Sequence, residues 1–174
     1  MCSIARLGVK ARCTRAIADR AGVAYPSLYR FFADREEILD RLLERHVEDL
    51  NELELAAEGS WEPTSVEDLI NRQLDLHAAY YREHPSAARL WLSGRSSPTV
   101  LAHVREHLRE LAERMREMLI TRQLIPADTD PRALSLLVEL GDRTLDLAFR
   151  EGPAPDPVII DLGRRALAAC LRGF

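Results

Sequence analysis

The sequence predicts an all-α fold in which a short N-terminal helix-turn-helix head precedes a larger helical domain. Two observations carry this prediction. Apolar residues recur at helical spacing in successive segments, and no segment alternates between apolar and polar residues with a period of two. The sequence also contains no internal repeat or low-complexity run. We expect the head to occupy residues 1–38 and the larger domain to occupy residues 39–174.

The stretch from Thr14 to Ala33 has the pattern of a helix-turn-helix. Ala18 is small enough for the second helix to cross close above it. Gly22 can adopt the left-handed conformation that is needed where the chain reverses. We expect five apolar side chains to fill the wedge between the two helices: Ile17, Ala21, Val23, Leu28 and Phe31.

Six further helices follow the motif. Asp34 is predicted to cap a long helix, with Glu37 completing a capping box, and Ser65 is predicted to cap the next helix. Apolar spacing and proline breaks give the expected ranges: 34–57, a loop at 58–63, a helix from Ser65 that ends before Pro85, then Ser86–Leu92, Thr99–Gln123, Arg132–Glu151 and Val158–Leu171. The helix at Arg132–Glu151 is apolar over a wide arc, which predicts burial on two sides.

Composition narrows the class of protein. A chain of 174 residues holds one domain, or one small domain joined to a larger one. No apolar run approaches the roughly 18 residues of a membrane span, and no signal-peptide pattern is visible. Three scattered cysteines, Cys2, Cys13 and Cys170, indicate free thiols rather than a disulfide framework. We therefore expect a cytoplasmic protein.

The net charge of −4 conceals an asymmetry between the two parts of the chain. Residues 1–35 contain seven basic and two acidic side chains, a net charge of +5, so residues 36–174 carry −9. A basic head on an acidic body is typical of a head that meets phosphate groups. The alternative is chance clustering of basic residues on a solvated face.

The letters IADRAGV, followed by Pro-Ser-Leu-Tyr-Arg-Phe-Phe and Asp-Arg-Glu-Glu-Ile-Leu, carry a resemblance to a known family. Over residues 9–45 the chain resembles the TetR family of bacterial transcriptional repressors. The remainder resembles that family in the number, order and lengths of its helices. The resemblance implies a DNA-binding head and a ligand-binding, dimer-forming body.

The resemblance also implies which side chains contact double-stranded DNA. In the family, the residue at Thr14 contacts a phosphate, and the one at Arg15 reaches a base edge, where arginine can bind guanine O6 and N7 together. The remaining expected contacts are base contacts from Ala24 and Tyr25, phosphate contacts from Ser27, Tyr29 and Arg35, and a base or backbone contact from Arg30. Alternatives remain for two of them: Tyr29 packing under the motif, and Arg35 as a solvated helix-start residue. We expect Arg20 to face solvent.

The N-terminus departs from the family pattern. Members begin with a helix of about fifteen residues that braces the motif, whereas here Ile4 to Gly8 would be its remnant. Two explanations are open. Either the start codon has been placed too far downstream, or the grip on DNA is weakened or lost.

A second group of residues points to a small-molecule site in the body. In the family, the inducer pocket lies among the middle helices, and pockets combine apolar walls with a few polar groups. The candidate ligand-binding residues are Gln73, His77, Tyr80, Tyr81, Trp91, Met115 and Met118. The alternative is a core histidine at position 77 with ordinary packing aromatics.

Other kinds of site find little support. His103 and His107 lie one helical turn apart, a spacing that can bind metal, but we expect both to lie on the solvated face of their helix. The sequence has no nucleophile-base-acid set, GxGxxG, P-loop or GxSxG motif. We expect no enzymatic activity, no metal and no cofactor.

Together these features predict a homodimeric repressor that a small-molecule inducer releases from DNA. Residues 132–151 and 158–171 are expected to pair across a two-fold axis, so that the operator is a palindrome. The inducer would tilt the helix that begins at Asp34. The alternative is a TetR-like ligand-binding or interaction protein whose truncated head no longer binds DNA.

Overall fold

The computed structural model describes residues 14–93 and 97–171. Within these ranges the chain forms eight α-helices and no β-strand, which confirms the predicted fold class. In chain order they are α1 (14–21), α2 (Tyr25–Leu28), α3 (Arg35–Ser60), α4 (Val66–Glu83), α5 (Pro85–Ser93), α6 (Pro98–Thr121), α7 (Pro131–Ala148) and α8 (Pro157–Leu171). The predicted remnant of a bracing helix at Ile4 to Gly8 lies outside the described residues.

The turn between α1 and α2 has the predicted geometry. Gly22 has a φ of +68°, the left-handed conformation that glycine adopts without a Cβ clash. The amide of Val23 donates to the carbonyl of Ala18 over 3.1 Å, and Ala18 is completely buried. The small residue and the glycine therefore form the close approach that a helix-turn-helix requires.

The predicted wedge of apolar side chains is only partly correct. Leu28 is buried and Ile17 is half-buried, but Phe31 is 75% exposed and Val23 is 43% exposed. Ala21 is exposed as well. The reason is that α2 is a single turn ending at Leu28, so Phe31 lies in the following turn and does not continue the inward face of the helix.

Side-chain caps begin α3 and α4 as expected. Asp34 Oδ1 accepts the amide of Glu37 over 2.9 Å, and Glu37 Oε2 accepts the amide of Ala33 over 2.6 Å. Ser65 Oγ accepts the amide of Asp68 over 3.1 Å. Helix α3 continues to Ser60, so the loop predicted at 58–63 begins three residues later, at Trp61.

Helices α5 to α8 each begin at a proline, one residue before the predicted start. Proline suits the first helical position because its φ is already helical and its missing N–H would have no partner there. Caps precede three of these prolines: Ser97 accepts the amide of Val100, Asp130 that of Arg132, and Asp156 that of Val158. The predicted C-termini of α6 and α7 extend two to three residues too far.

Helix α7 lies between α6 and α8, which agrees with the burial on two sides that its wide apolar arc predicts. Helix α4 packs on α8, and α3 packs on α5 and α6. The core includes Tyr81, Leu43, Leu50, Leu69, Leu119 and Leu134, all almost fully buried. Helices α3 to α8 thus enclose the interior of the body, and α3 leads from the head into this core.

Five apolar side chains on α7 and α8 are left exposed: Leu136, Leu140, Leu147, Val158 and Leu162. The three on α7 are spaced four and seven residues apart, so they share one face of the helix. None of the helices in the described part of the chain is long and apolar enough to cross a membrane.

Candidate functional site

Four side chains of the head form one connected group, which we call the head cluster: Thr14, Arg15, Tyr25 and Tyr29. The Arg15 guanidinium carbon lies 5.5 Å from the centroid of the Tyr25 ring, within cation–π range. The Tyr25 hydroxyl donates to the Tyr29 hydroxyl over 3.1 Å. Their rings meet edge to face with centroids 5.0 Å apart. The group joins the start of α1 to α2.

The direction of the hydrogen bond between the two tyrosines determines what each can offer a ligand. Because the Tyr25 hydroxyl donates to Tyr29, the pKa of Tyr25 is raised and that of Tyr29 is lowered. The hydroxyl of Thr14 also forms a hydrogen bond with Tyr29, which lowers the pKa of Tyr29 further. The Tyr29 oxygen therefore acts as an acceptor within the head cluster.

Seven of the eight side chains predicted to contact DNA reach the surface. Four are exposed and three are partly buried: Arg15, Ala24, Tyr29 and Arg30, then Tyr25, Ser27 and Arg35. Tyr29 is 42% exposed, which does not fit the alternative of packing under the motif. Arg20 is exposed, as expected.

Thr14 does not fit its expected phosphate contact. Its side chain is only 2% exposed, and its hydroxyl bonds to Tyr29. Thr14 therefore offers little surface to a phosphate and instead holds Tyr29 in place. A residue that begins an exposed motif helix can still be covered by its neighbours, and the sequence pattern does not reveal this.

A cavity of about 50 Å³ lies among α4, α5, α6, α7 and α8. Four of the candidate ligand-binding residues line it: Gln73, His77, Trp91 and Met115. The other lining side chains are mostly apolar: Ile70, Leu74, Leu108, Leu111, Leu137, Val138, Leu145 and Leu167, together with Gly141 and Asp142. The composition of the wall is that of a small-molecule site, although the present volume accommodates only a few waters.

Three of the candidate ligand-binding residues do not line the cavity. The Tyr80 hydroxyl lies 2.7 Å from Nδ1 of His46, toward α3. Tyr81 packs edge to face on Phe149 with ring centroids 5.8 Å apart. Met118 is partly buried against the core one turn beyond Met115. Residues on one helix that are near in sequence thus face different neighbours, and only some of them meet the cavity.

A cluster of ionisable side chains lies next to the cavity and shares His77 with its wall. We call it the buried charge cluster, and it consists of Glu54, His77, His107 and Arg114. Glu54 is completely buried, and its Oε2 accepts a hydrogen bond from Arg114 Nη2 over 2.7 Å. The Nε2 atoms of His77 and His107 lie 3.2 and 3.4 Å from Glu54 Oε1. These are ion-pair distances, but neither contact meets the geometric requirements of a hydrogen bond. The cluster joins α3, α4 and α6.

The cluster changes the protonation of its members. Burial alone would raise the pKa of Glu54, but the contacts with His107 and His77 outweigh burial and lower that pKa to about 2. For His77, burial opposes the charged form, yet the contact with Glu54 and its negative charge raise the pKa overall. Nδ1 of His77 lies 2.8 Å from the carbonyl oxygen of Gln73, so both ring nitrogens face acceptors. Only the imidazolium form carries a proton on each of these nitrogens.

The opposite wall of the cavity carries a second carboxyl group, that of the half-buried Asp142. Asp142 Oδ1 accepts the indole N–H of Trp91 over 2.6 Å. Burial raises the pKa of Asp142, while the Trp91 hydrogen bond and the charge of His77 partly offset that effect. Asp142 was not among the predicted site residues, although it lies four residues after Val138 and three before Leu145, on the inward face of α7.

The prediction for the two histidines of α6 is correct for one and wrong for the other. His103 is exposed, but His107 is 4% exposed and contacts Glu54. The reason is helical register, because His107 lies four residues before Leu111 and seven after Val100, both of which are buried. No group of three potential metal ligands occurs in the part of the chain that the structure describes.

Two family models match the chain. The model described as "Bacterial regulatory proteins, tetR family" matches residues 4–42. The model described as "Tetracyclin repressor-like, C-terminal domain" matches residues 65–171, which is more than half of the chain. The first match contains the head cluster, and the second contains the cavity. No curated protein matches this chain.

Proposed function

Since the chain belongs to the tetR family of bacterial regulatory proteins and is a DNA-binding transcriptional regulator, we propose that it is a repressor that a small molecule releases from its operator. One observation supports this proposal above all. His77, on the cavity wall, contacts Glu54, which lies on α3, the helix that follows the head directly. A change at the cavity thus has a physical connection to the DNA-binding end of the molecule.

The base-reading part of the proposal rests on the exposed face of the head. We assign base readout to Arg15, with Ala24 and Tyr25 beside it at the start of α2. The cation–π contact with Tyr25 limits the rotamers of Arg15, which reduces the entropy lost when a base is bound. Ser27, Tyr29 and Arg35 would hold phosphates and set the register, and Arg30 would reach a base or the backbone. We assign residues 1–38 to the head.

The proposed homodimer rests on the apolar face left open on α7 and α8. Leu136 and Leu162 are about half exposed and Val158 is 63% exposed, which is unusual for adjacent helices that otherwise pack into a core. Pairing this face with its copy would bury it and place two heads at a fixed spacing. Such a dimer would read a palindromic operator.

The proposed release mechanism rests on the size of the cavity. A volume of about 50 Å³ is far below the roughly 300 Å³ or more of a typical ligand site. An inducer must therefore push apart the helices that line the cavity, and α4 would move with His77. Glu54 would transmit this movement to α3 and thereby change the spacing of the heads. Release follows only if the inducer binds the moved form more tightly than the closed form.

A gel-shift experiment tests the repressor. DNA fragments that bind the protein are first selected from a genomic library, and affinities for the selected operator are then compared between variants. Arg15→Ala should weaken operator binding by about 1–3 kcal/mol and relax sequence discrimination. Arg20→Ala, on the exposed face of the same helix, is the matched control and should have little effect. If the Arg15→Ala variant discriminated between DNA sequences as well as wild type does, the assignment of base readout to Arg15 would be wrong.

The exposure of Phe31 and Val23 favours a second candidate function. A head whose apolar residues are so exposed has a small core, and small cores are marginally stable. The second candidate is a ligand-binding or interaction protein whose head does not grip DNA. Selection of no genomic fragment, together with ligand binding by the body, would support this candidate and contradict the repressor. Catalysis has no part in either proposal.

A further inference from the structure

Two polar side chains on the cavity wall, Gln73 and Asp142, present acceptor oxygens. The Oε1 atom of Gln73 is buried and has no hydrogen-bond partner. Asp142 accepts the Trp91 indole N–H through Oδ1, and its other oxygen has no partner among the residues the structure describes. A ligand that enters the cavity thus meets acceptors that its own donors can satisfy.

The charges around the cavity are not evenly paired. His77 contacts Glu54, and Arg114 contacts both Glu54 and Glu58, so these groups compensate one another. Asp142 has no cation in contact within the described ranges. Its neighbour along α7, Arg143, pairs with Asp146 instead. Asp142 is therefore the carboxyl group at the cavity that has no ion pair within the described ranges, and the charges of His77 and Arg143 act on it only from a distance.

We infer that the cavity binds a lipophilic cation, namely a protonated amine whose ammonium group lies between Asp142 and Gln73 and whose apolar body lies among the α6, α7 and α8 side chains. The inference rests on the proposed function insofar as it places the inducer in this cavity. Burial raises the pKa of Asp142 because it disfavours the charged carboxylate. An ammonium ligand would offset this effect by stabilising the carboxylate. The unbranched side chain of Met115 can rearrange to admit the ligand body.

An anionic ligand fits these contacts poorly. Its carboxylate would lie against Asp142 and the Gln73 oxygen, which are both acceptors. The titratable donor on the wall is His77, and its two ring nitrogens already face the Gln73 carbonyl and Glu54 at 2.8 and 3.2 Å. Binding an anion would require breaking one of these contacts.

Three probes of one shape test the charge preference: benzylamine, benzyl alcohol and benzoate. Their affinities for the full chain are measured by isothermal titration calorimetry at neutral pH, where the amine is a cation and benzoate an anion. Benzylamine should bind at least tenfold more tightly than benzyl alcohol, and benzoate should bind most weakly. Asp142→Asn should reduce the preference for the amine about tenfold, because asparagine keeps an oxygen for the Trp91 N–H but carries no charge. Glu117→Gln, which removes an exposed carboxylate of α6, should leave the preference unchanged.

The outcomes separate this inference from the proposed function. If benzyl alcohol bound as tightly as benzylamine or more tightly, the inference would be overturned, but the cavity would remain a ligand site. The same conclusion would follow if benzoate bound most tightly. An amine preference that survives Asp142→Asn would overturn the inference too. If none of the three probes bound, both the assignment of the cavity as a ligand site and the inference would be contradicted. Operator binding by the unliganded protein tests the DNA-binding function independently of all these results.

Discussion

His77 Nε2, on the cavity wall, lies 3.2 Å from Oε1 of Glu54, a side chain that is completely buried in α3. Because Nδ1 of the same ring faces the Gln73 carbonyl, the contact is strongest when His77 is an imidazolium. The pair joins the helix that follows the head to a helix that lines the cavity. Its charge state therefore bears on stability and on the proposed coupling between the two sites.

We expect the His77 contact to make stability depend on pH. The pKa of His77 is raised above its ordinary value of 6.5, so folding favours the protonated form. The resulting stabilisation is fully present below pH 6.5 and is lost as pH rises through the raised pKa. In urea unfolding from about pH 6 to about pH 9, the stability advantage of wild type over His77→Gln should shrink steadily.

The difference between variants isolates His77 from other groups that titrate. Glu54, Asp142, Tyr81, Arg114 and His107 surround the ring and are present in both proteins. Burial lowers the pKa of His46, which gives the opposite trend with pH, but that contribution also cancels. His103→Gln replaces an exposed histidine of α6 and should keep the wild-type pH profile. A constant difference between wild type and His77→Gln would contradict the raised pKa.

We expect Glu54→Gln to be strongly destabilising. The substitution keeps the shape of the side chain but leaves Arg114 and His77 without the anion that they share. Removing one partner of a buried ion pair costs about 3–5 kcal/mol, and the contact of Arg114 with Glu58 favours the lower end. Urea unfolding at neutral pH measures the loss.

The matched control is Glu106→Gln on α6. Glu106 pairs with Arg109 at the surface, where both side chains are more than half exposed, so the free energy of unfolding should change little. A similar small effect for Glu54→Gln would mean that the buried cluster contributes no more than a surface pair.

The helices themselves could be predicted from the sequence because their start signals are local. Asp34 and Ser65 cap α3 and α4 through side chains three residues from the amides they bind. Treating Pro131 as a break places the predicted start of α7 one residue late, because proline is in fact well suited to the first helical position. Signals that act over one helical turn can therefore be recognised from the sequence without knowledge of the tertiary structure.

The buried charge cluster could not be predicted so directly, although its register was visible. Glu54 lies four and seven residues after Leu50 and Val47, on the buried face of α3. His107 lies seven residues after Val100 and four before Leu111, on the buried face of α6. A charged residue at such a position usually turns to solvent at a helix edge, because burial without partners is costly. Glu54 can be buried because Arg114 and His77 contact it from other helices. These are long-range contacts, which the sequence pattern of α3 alone does not show.

We expect Leu136→Glu to convert the proposed dimer into monomers. Leu136 is 51% exposed and belongs to the open apolar face of α7, so a buried glutamate would face its own copy across the two-fold axis. Light scattering during size-exclusion chromatography measures the mass. Leu55→Glu changes an equally exposed leucine of α3, at 48%, and should leave the dimer intact. A wild-type monomer would contradict both the dimer and the palindromic operator.

We expect Gly163→Ala to destabilise the contact between α7 and α8. A Cβ at Gly163 would overlap the side chain of Thr144, whose Oγ1 would lie only 2.9 Å away. Thr144 cannot turn aside freely, because Oγ1 donates to the Leu140 carbonyl over 2.8 Å and its β-branched side chain has few rotamers. Overpacking of this kind costs about 1–3 kcal/mol, measurable by urea unfolding at a fixed protein concentration.

Pairing this substitution with Thr144→Ala distinguishes the overlap from other effects of the new methyl group. Thr144→Ala alone should cost little, since the side chain is only partly buried. The double variant should regain most of the stability lost in Gly163→Ala, because the atoms that the new Cβ overlaps are gone. A double variant as unstable as the sum of the two single variants would show that the cost arises elsewhere. Recovery would instead identify the small residue at position 163 as the feature that sets how closely α7 and α8 approach.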